Sequence, residues 1–214
     1  MPKTKTSASG DKAARPDLLE AALTQIAAEG WAGWSPKALA AMSGYDLAEV
    51  YDVFPTPDAV ARRLGERLDR AMLSIPPDEL LDLSHRERLF ELFMRRFDAM
   101  APFKPGLKRL TREARGEPEF LLASLCNLDR MAVWMMELAE LPYAGLQARL
   151  ARQALVLAYV RVFSIWLEDD TLDLATTMAE LDKRLDQLER AANLGDRLFA
   201  GFAGRRSAAR AGAD

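Results

Sequence analysis

Residue types that commonly perform catalysis are scarce in this 214-residue sequence. It contains one histidine, His85, and one cysteine, Cys126, so it offers no internal disulfide and neither a multi-histidine nor a multi-cysteine metal site. We expect His85 to be exposed and Cys126 to be an inert thiol in the core, because it lies in an apolar stripe. The sequence has no glycine-rich phosphate loop, Gly-x-Ser-x-Gly motif or His-Glu-x-x-His motif. We therefore expect a protein that is not an enzyme and holds no metal or cofactor.

Acidic residues at helical spacing bear on nucleic-acid binding. Asp46, Glu49 and Asp52 lie three residues apart, so they share one face of a short helix. Residues 17–60 contain seven acidic side chains and one basic one, Lys37. Because DNA affinity comes largely from Lys and Arg beside phosphates, this balance argues against duplex binding. A basic N-terminal arm and the arginines of the following helix could compensate. Those arginines are Arg62, Arg63, Arg67 and Arg70.

Methionine and aromatic residues recur along the helices of the C-terminal half. Thioethers and aromatic rings line adaptable apolar cavities, so we expect a pocket for a hydrophobic or isoprenoid lipid in this half. The same residue types also suit plain core packing or a helical dimer interface, and these alternatives stay open. The candidate ligand-binding residues are Phe97, Met100, Met131, Trp134, Met135, Phe163 and Trp166.

The C-terminal segment, residues 194–214, combines apolar and basic side chains. Four arginines accompany one acid in residues 194–210, which suits an amphipathic helix lying on a membrane surface, although three glycines weaken it in water. The alternative is a tail docked on the body of the protein. The candidate membrane contacts are Leu198, Phe199, Phe202, Arg205 and Arg206. With no secretory signal or long apolar run, we expect a cytoplasmic location, with peripheral contact to the inner membrane.

Helices must position these residues, because the sequence shows no strand-like alternation and an all-α fold is expected. Residues 1–15 are expected to form a disordered basic arm, and residues 16–75 a helix-turn-helix module. Residues 78–193 are expected to form a helical domain for ligand binding and dimerisation. Its helices are expected at roughly 84–100, 104–114, 117–140, 145–168 and 171–193 by period counting.

Capping residues mark the ends of the expected helices. Pro16 suits the first helical turn, and Gly30 ends the first helix. Ser35 caps the second helix, and Gly44 closes it before the tight turn. Further along, Ser84 is expected to cap a helix with Glu87 as its capping-box partner, and the pair Asp170 and Thr171 to begin the last one.

The N-terminal module resembles the tetracycline-repressor (TetR) family in several spacings at once. The matching segments are LLEAALTQIAAEGW, SPKALAAMSGY and VYDVFPTPDAV, at 18–31, 35–45 and 50–60. The resemblance implies a homodimer, a DNA-binding N-terminal module and a helical ligand domain. Under that interpretation the candidate DNA contacts are Lys37, Tyr45, Glu49 and Tyr51.

Most of the chain also resembles the lipid-binding family of ubiquinone biosynthesis, which is built on a TetR-like fold. The matching segments include RRFDAMAPFKPGLKRL, NLDRMAVWMM and ARQALVLAYVRVFSIWLEDD, at 95–110, 127–136 and 151–170. The resemblance matches Arg152, Trp166, Asp169 and Thr176 or Thr177 to that family's pattern. It implies presentation of lipid intermediates to a partner hydroxylase.

Two functions therefore remain from the sequence. The leading hypothesis is a non-enzymatic lipid-binding accessory protein of ubiquinone (coenzyme Q) biosynthesis that touches the membrane through its C-terminus. The alternative is a ligand-responsive, DNA-binding transcription regulator of the TetR type. The first hypothesis is favoured over the second because acidic side chains occupy the face where a duplex would lie.

Overall fold

The computed structural model describes the backbone of residues 15–211, and the side chains of residues 15–194 except Arg115. These residues form nine α-helices joined by short loops and three short 3-10 turns. The helices are α1 (Leu18–Glu29), α2 (Pro36–Ser43), α3 (Leu47–Val53), α4 (Ala59–Leu73), α5 (His85–Met100), α6 (Lys104–Glu113), α7 (Pro118–Leu138), α8 (Gly145–Trp166) and α9 (Ala175–Ala211). The expected all-α class is confirmed for the part of the chain that the structure describes.

Local capping explains where the first two helices begin and end. The side chain of Asp17 accepts hydrogen bonds from the backbone of α1, which therefore begins at Leu18 and leaves Pro16 outside it. Gly30 ends α1 with a φ of 83°, as expected from its lack of a Cβ. Ser35 caps α2 by accepting a hydrogen bond from the third residue after it, and Gly44 ends α2 in the left-handed conformation.

The helices of the C-terminal half follow the period counts closely, except at the last one. The capping box of Ser84 and Glu87 at the start of α5 is confirmed. Helix α9 begins at Ala175 and continues to Ala211, well beyond residue 193. A glycine costs a helix only about 1 kcal/mol relative to alanine, so the three glycines do not end a segment rich in Ala, Leu and Arg.

The start of α9 is held by an acid other than the expected one. Asp169, which is buried, accepts hydrogen bonds from the backbone N–H and hydroxyl of Thr177 at 2.8 and 2.7 Å. It also accepts one from the Thr171 hydroxyl at 2.6 Å. Burial opposes ionisation of Asp169, but these hydrogen bonds outweigh it and hold the pKa of the carboxyl well below its usual range. Asp170, expected to cap this helix, is exposed instead.

The N-terminal helices pack directly on the helices that follow. Helix α1 lies against α6, where a Cβ on Gly106 would come within 2.5 Å of the Leu23 carbonyl oxygen. Helix α4 lies against α7, and a Cβ on Gly65 would collide with the Asn127 side chain. At Gly106 the neighbour is backbone, so only glycine permits the observed approach, whereas at Gly65 a larger residue would require the Asn127 side chain to move.

A buried ion pair joins α4 to two other helices. Asp69 on α4 is 5% exposed and accepts from Arg96 on α5 at 2.5 Å and from Arg130 on α7 at 2.6 Å. Arg96 is 3% exposed, and its guanidinium lies 5.6 Å from the ring centroid of Tyr159 on α8. Because both charges of the Asp69–Arg96 pair are buried, each depends on the other for compensation.

Helix α7 presents an apolar strip to solvent, which corrects the expectation for Cys126. Its thiol is exposed rather than buried, and it lies beside Leu122 and Leu125, which are 64% and 60% exposed. Sequence periodicity identified the stripe but not which side of the helix faces the core. In the described part of the chain, no helix has the length and apolarity needed to cross a membrane.

Candidate functional site

Helices α2 and α3 form a helix-turn-helix whose outer face is open to solvent. The turn between them is short, running from Gly44 to the start of α3. On the outer face Tyr51 of α3 is 62% exposed, Leu47 is 53% exposed, and Lys37 of α2 is also exposed. The opposite faces are buried through residues such as Leu39 and Val50, and α2 packs against α1 and α3. A second helix displayed in this way is the geometry with which such motifs enter the major groove.

Two of the three acidic side chains of this region are engaged within the protein. The Asp46 carboxylate accepts from the Glu49 backbone N–H at 2.8 Å, and Glu49 accepts from the Asp46 backbone N–H at 3.0 Å. This reciprocal capping box fixes the start of α3. The two carboxylates therefore stabilise α3, whereas the sequence suggested that they only oppose a duplex.

Arg15 compensates the charge of Glu49. Its guanidinium donates two hydrogen bonds to the Glu49 carboxylate, at 2.7 and 3.1 Å, and the hydrogen bond raises the pKa of Arg15. The same guanidinium lies 4.3 Å from the ring centroid of Tyr45, whose hydroxyl donates to the Pro16 carbonyl at 3.1 Å. The end of the basic arm is thus anchored beside α3. The sequence placed Arg15 in a disordered segment, and no local signal identifies a partner 34 positions away.

The arginines of α4 neutralise other acids of the module. Arg67 donates to Asp17 at 3.0 Å and to Glu20 at 2.8 Å. Arg62 donates to Asp58 at 2.7 Å and to the hydroxyl of Thr56 at 3.0 Å. A charge count over residues 17–60 omits these arginines, so it overstates the negative charge that a duplex would meet.

The four DNA contacts suggested by the sequence have different surroundings. Lys37 and Tyr51 are exposed and lie on the two helices of the motif. Tyr45 is half-buried below Arg15, and Glu49 is bound to Arg15. Lys37 and Tyr51 are therefore available to a partner, whereas Tyr45 and Glu49 organise the end of the arm.

The suggested ligand residues are mostly packed against one another in the core. Phe97 stacks on Trp166 with ring centroids 5.7 Å apart, and Phe163 stacks on Trp166 at 5.8 Å. Trp134 lies apart from this set, 42% exposed on the surface of α7. Phe163 is half-buried. The remaining members are at most 2% exposed, namely Phe97, Met100, Met131, Met135 and Trp166.

Other residues singled out from the sequence offer no site chemistry. His85 is exposed, as expected, and its Nδ1 lies 2.7 Å from the Ala139 carbonyl oxygen. Among the described residues, no cluster of three or more His, Cys, Asp or Glu side chains is arranged to hold a metal ion. The suggested membrane contacts all lie beyond the side chains that the structure describes, so they stay predictions. They are Leu198, Phe199, Phe202, Arg205 and Arg206.

Comparison with solved structures identifies the architecture. A TetR transcriptional regulator from Nitrosomonas europaea matches with a TM-score of 0.67 and 20% identity over 80% of this chain and 95% of its own. A TetR-family regulator from Streptomyces coelicolor matches with a TM-score of 0.55 and 19% identity, over 87% and 96%. The regulator FadR from Bacillus subtilis, in complex with stearoyl-CoA, matches with a TM-score of 0.52 and 21% identity, over 80% and 95%. No family model matches the sequence, and no curated protein matches it significantly.

These matches overturn the leading hypothesis from the sequence. The matching structures are transcription regulators, and nothing among them indicates a role in ubiquinone biosynthesis or a partner hydroxylase. The residues that suggested that role have structural explanations. Asp169 and Thr177 bond to each other at the start of α9, and Trp166 belongs to the buried aromatic stack. Such features are compatible with any protein of this fold.

Proposed function

We propose that this chain, whose fold is that of the TetR regulators, is a non-enzymatic, ligand-responsive transcription regulator that binds duplex DNA as a homodimer. The observation that carries the proposal is the engagement of Asp46 and Glu49 by the α3 backbone and by Arg15. It reduces the objection to DNA binding, since Glu49 is paired with Arg15 and Asp46 serves as the cap of α3. Asp52 is left as the remaining exposed acid of that face. The likeness to three solved regulators supports the same function.

We assign contact with the DNA bases to α3 and contact with the DNA phosphates to the N-terminal arm. Tyr51 is the most exposed aromatic side chain of the motif, and its ring and hydroxyl suit the floor of the major groove. The arm carries Lys3, Lys5 and Lys12 before Arg15, which is fixed beside α3. These lysines would supply the phosphate contacts that the helices themselves largely lack.

Dimerisation is assigned to the exposed apolar strip of α8, together with α9. The strip recurs every three to seven residues on one face of the helix, which is the spacing of a helix-packing seam. Its members are Leu146, Leu150, Leu157 and Val160, each at least 44% exposed. A symmetric pair of modules would then read two half-sites about 34 Å apart, or a multiple of that distance.

The effector is assigned to the hydrophobic class. FadR of Bacillus subtilis was crystallised with stearoyl-CoA, an acyl compound. In this chain we assign the effector to the aromatic and methionine cluster between α5, α7 and α8. Methionine side chains repack readily around a ligand. Phe97, Met131 and Met135 are the side chains that an acyl or similar chain would displace.

Selection from a random duplex library tests the function directly. The full-length protein should enrich a two-fold symmetric sequence at physiological ionic strength, and fluorescence anisotropy should then give its affinity. Tyr51→Ala should weaken binding to the selected duplex by about tenfold or more, since a base contact contributes about 1–3 kcal/mol. Leu81→Ala, at an exposed apolar position outside the motif, is the matched control and should bind normally. If no sequence is enriched, the proposal is wrong.

A further inference from the structure

A cleft of about 600 Å³ lies between the helix-turn-helix module and the start of α7. None of the residues assigned above to DNA, ligand or dimer contacts belongs to it. One wall comes from the loop before α2 and the turn before α4, and the other from the end of α6 and the start of α7. The lining residues are Trp31, Ala32, Trp34, Pro57, Asp58, Glu113, Glu117, Glu119 and Phe120.

Aromatic rings form the apolar part of the cleft. Trp31 and Trp34 stack with centroids 5.6 Å apart and an angle of 9° between their planes. Phe120, from α7, lies 5.4 Å from Trp31 at a tilt of 59°. Trp34 is 6% exposed, and its Nε1–H has no acceptor among the residues that the structure describes. Buried polar groups nearly always have a hydrogen-bond partner, so the unpaired indole N–H of Trp34 is unusual.

Four carboxylates border the rings, and two of them are already compensated. Glu113 accepts from Arg109 at 2.8 Å and from the Trp31 backbone N–H at 2.7 Å. Asp58 accepts from Arg62 at 2.7 Å, as described above. Glu117 and Glu119 are exposed, and neither forms an ion pair with a side chain that the structure describes. Among the described side chains, which leave out Arg115, no Lys or Arg lines the cleft, so the described lining is aromatic and negative.

This combination selects one class of small molecule. Carboxylates repel phosphates and acyl-CoA-type anions, so the cleft differs in chemistry from the apolar cluster of the core. A hydrated metal ion prefers converging oxygen ligands to indole faces. An organic cation gains both from the faces of tryptophan rings and from nearby carboxylates. The volume is within the usual range for small-molecule pockets.

We propose that this cleft binds a small organic cation, a quaternary ammonium compound with an apolar body, whose charged group lies against Trp31 beside Glu117 and Glu119. Binding would bridge the helix-turn-helix module and the body of the protein, because each contributes one wall. The proposal does not depend on DNA binding, so either can fail without the other.

Calorimetric titration with three probes of equal chain length tests the assigned chemistry. Hexyltrimethylammonium should bind saturably to the full-length protein, while 1-hexanol should bind about tenfold or more weakly, since a desolvated cation–π contact contributes about 2 kcal/mol. Hexanesulfonate should not bind. Equal affinity for the ammonium and the alcohol, or any saturable binding of the sulfonate, would overturn the proposal.

Variants locate the binding. The double variant Glu117→Gln with Glu119→Gln should weaken ammonium binding by about tenfold, and Trp31→Leu should weaken it at least as much. The double variant Asp82→Asn with Glu137→Gln changes the same charge at exposed acids outside the cleft, and it should bind like the natural protein. The glutamine variants alter only exposed side chains, so they remain informative if Trp31→Leu does not fold. Unchanged affinity in the cleft double variant contradicts the proposal.

Discussion

Paired acidic side chains have different roles on the surface of the protein and at the buried contacts between helices. On the surface of the helix-turn-helix module the paired acids are partly exposed, as with Glu49 on Arg15 and Glu20 on Arg67. Between packed helices they are buried, as with Asp69 on Arg96, where α4 meets α5, and at the start of α9, where Asp169 bonds to Thr177. An exposed pair contributes little to folding, whereas breaking a buried pair is costly. The surface pairs therefore set the charge of the module's outer face, and the buried pairs hold the helices together.

Removing Asp69 should give the largest effect on stability. Asp69→Ala leaves Arg96 buried without its counter-charge, so the free energy of unfolding should fall by about 3–5 kcal/mol. Urea denaturation followed by circular dichroism measures this. Glu20→Ala, which breaks an exposed pair, is the matched control and should change stability by less than about 1 kcal/mol. Similar losses in the two variants would remove the distinction between surface and buried pairs.

Closing the gap between α1 and α6 should have the next largest effect. A Cβ on Gly106 would lie 2.5 Å from a backbone oxygen of Leu23, so Gly106→Ala should cost about 1–3 kcal/mol by forcing the helices apart. Gly116→Ala is the control, because its Cβ would have no neighbour within 4 Å. Thermal denaturation should place Gly106→Ala well below the natural protein and Gly116→Ala at or slightly above it.

Acid titration separates a buried acid from the exposed ones. The pKa of Asp169 is lower in the folded protein than in the unfolded chain, where it is about 4. Its contribution is therefore present above that pH and is lost as the pH falls through the folded-state pKa. Asp169→Asn should cost about 1–2 kcal/mol at neutral pH and show a smaller further loss on acidification than the natural protein. If the stabilities of Asp169→Asn and the natural protein fall in parallel on acidification, ionised Asp169 does not stabilise the fold.

The capping box of α3 should give the smallest effect on stability. Asp46→Ala removes the side chain that accepts from the Glu49 backbone, at a cost of about 1 kcal/mol. Asp46→Asn keeps an oxygen acceptor and should restore most of the loss. Hydrogen exchange of the first amides of α3 measures the effect locally, where a global melt would dilute it. Equal exchange in the two variants would show that the carboxylate does not cap the helix.

Short-range features of the fold could be predicted from the sequence, and long-range ones could not. Ser35 and Glu87 gave correct caps because their partners lie three residues away. The pairing of Arg15 with Glu49 joins residues far apart in the chain, so composition counted the acid and missed its partner. Cys126 was misplaced for a related reason, since periodicity does not tell which face of α7 meets the core.

The candidate site was only partly accessible to the same reasoning. Tyr51 and Lys37 are exposed, as their positions in the motif suggested, and their contact with DNA stays a prediction. The aromatic and acidic cleft could not be inferred, because Trp31 and Phe120 are close only through the packing of α7 against the module. Most of the aromatic and methionine residues suggested as a ligand pocket are buried against one another, and their role in ligand binding stays a prediction.

A double-mutant cycle on DNA binding tests the central claim, that Arg15 neutralises the charge of Glu49 on the face of α3 that would meet DNA. Affinity for the selected duplex would be measured for the natural protein, Arg15→Gln, Glu49→Gln and the double variant. Arg15→Gln should weaken binding by about tenfold in the natural background and much less when Glu49 is already Gln, because no carboxylate is then uncovered. Equal losses in both backgrounds, or no selective binding by the natural protein, would contradict the account.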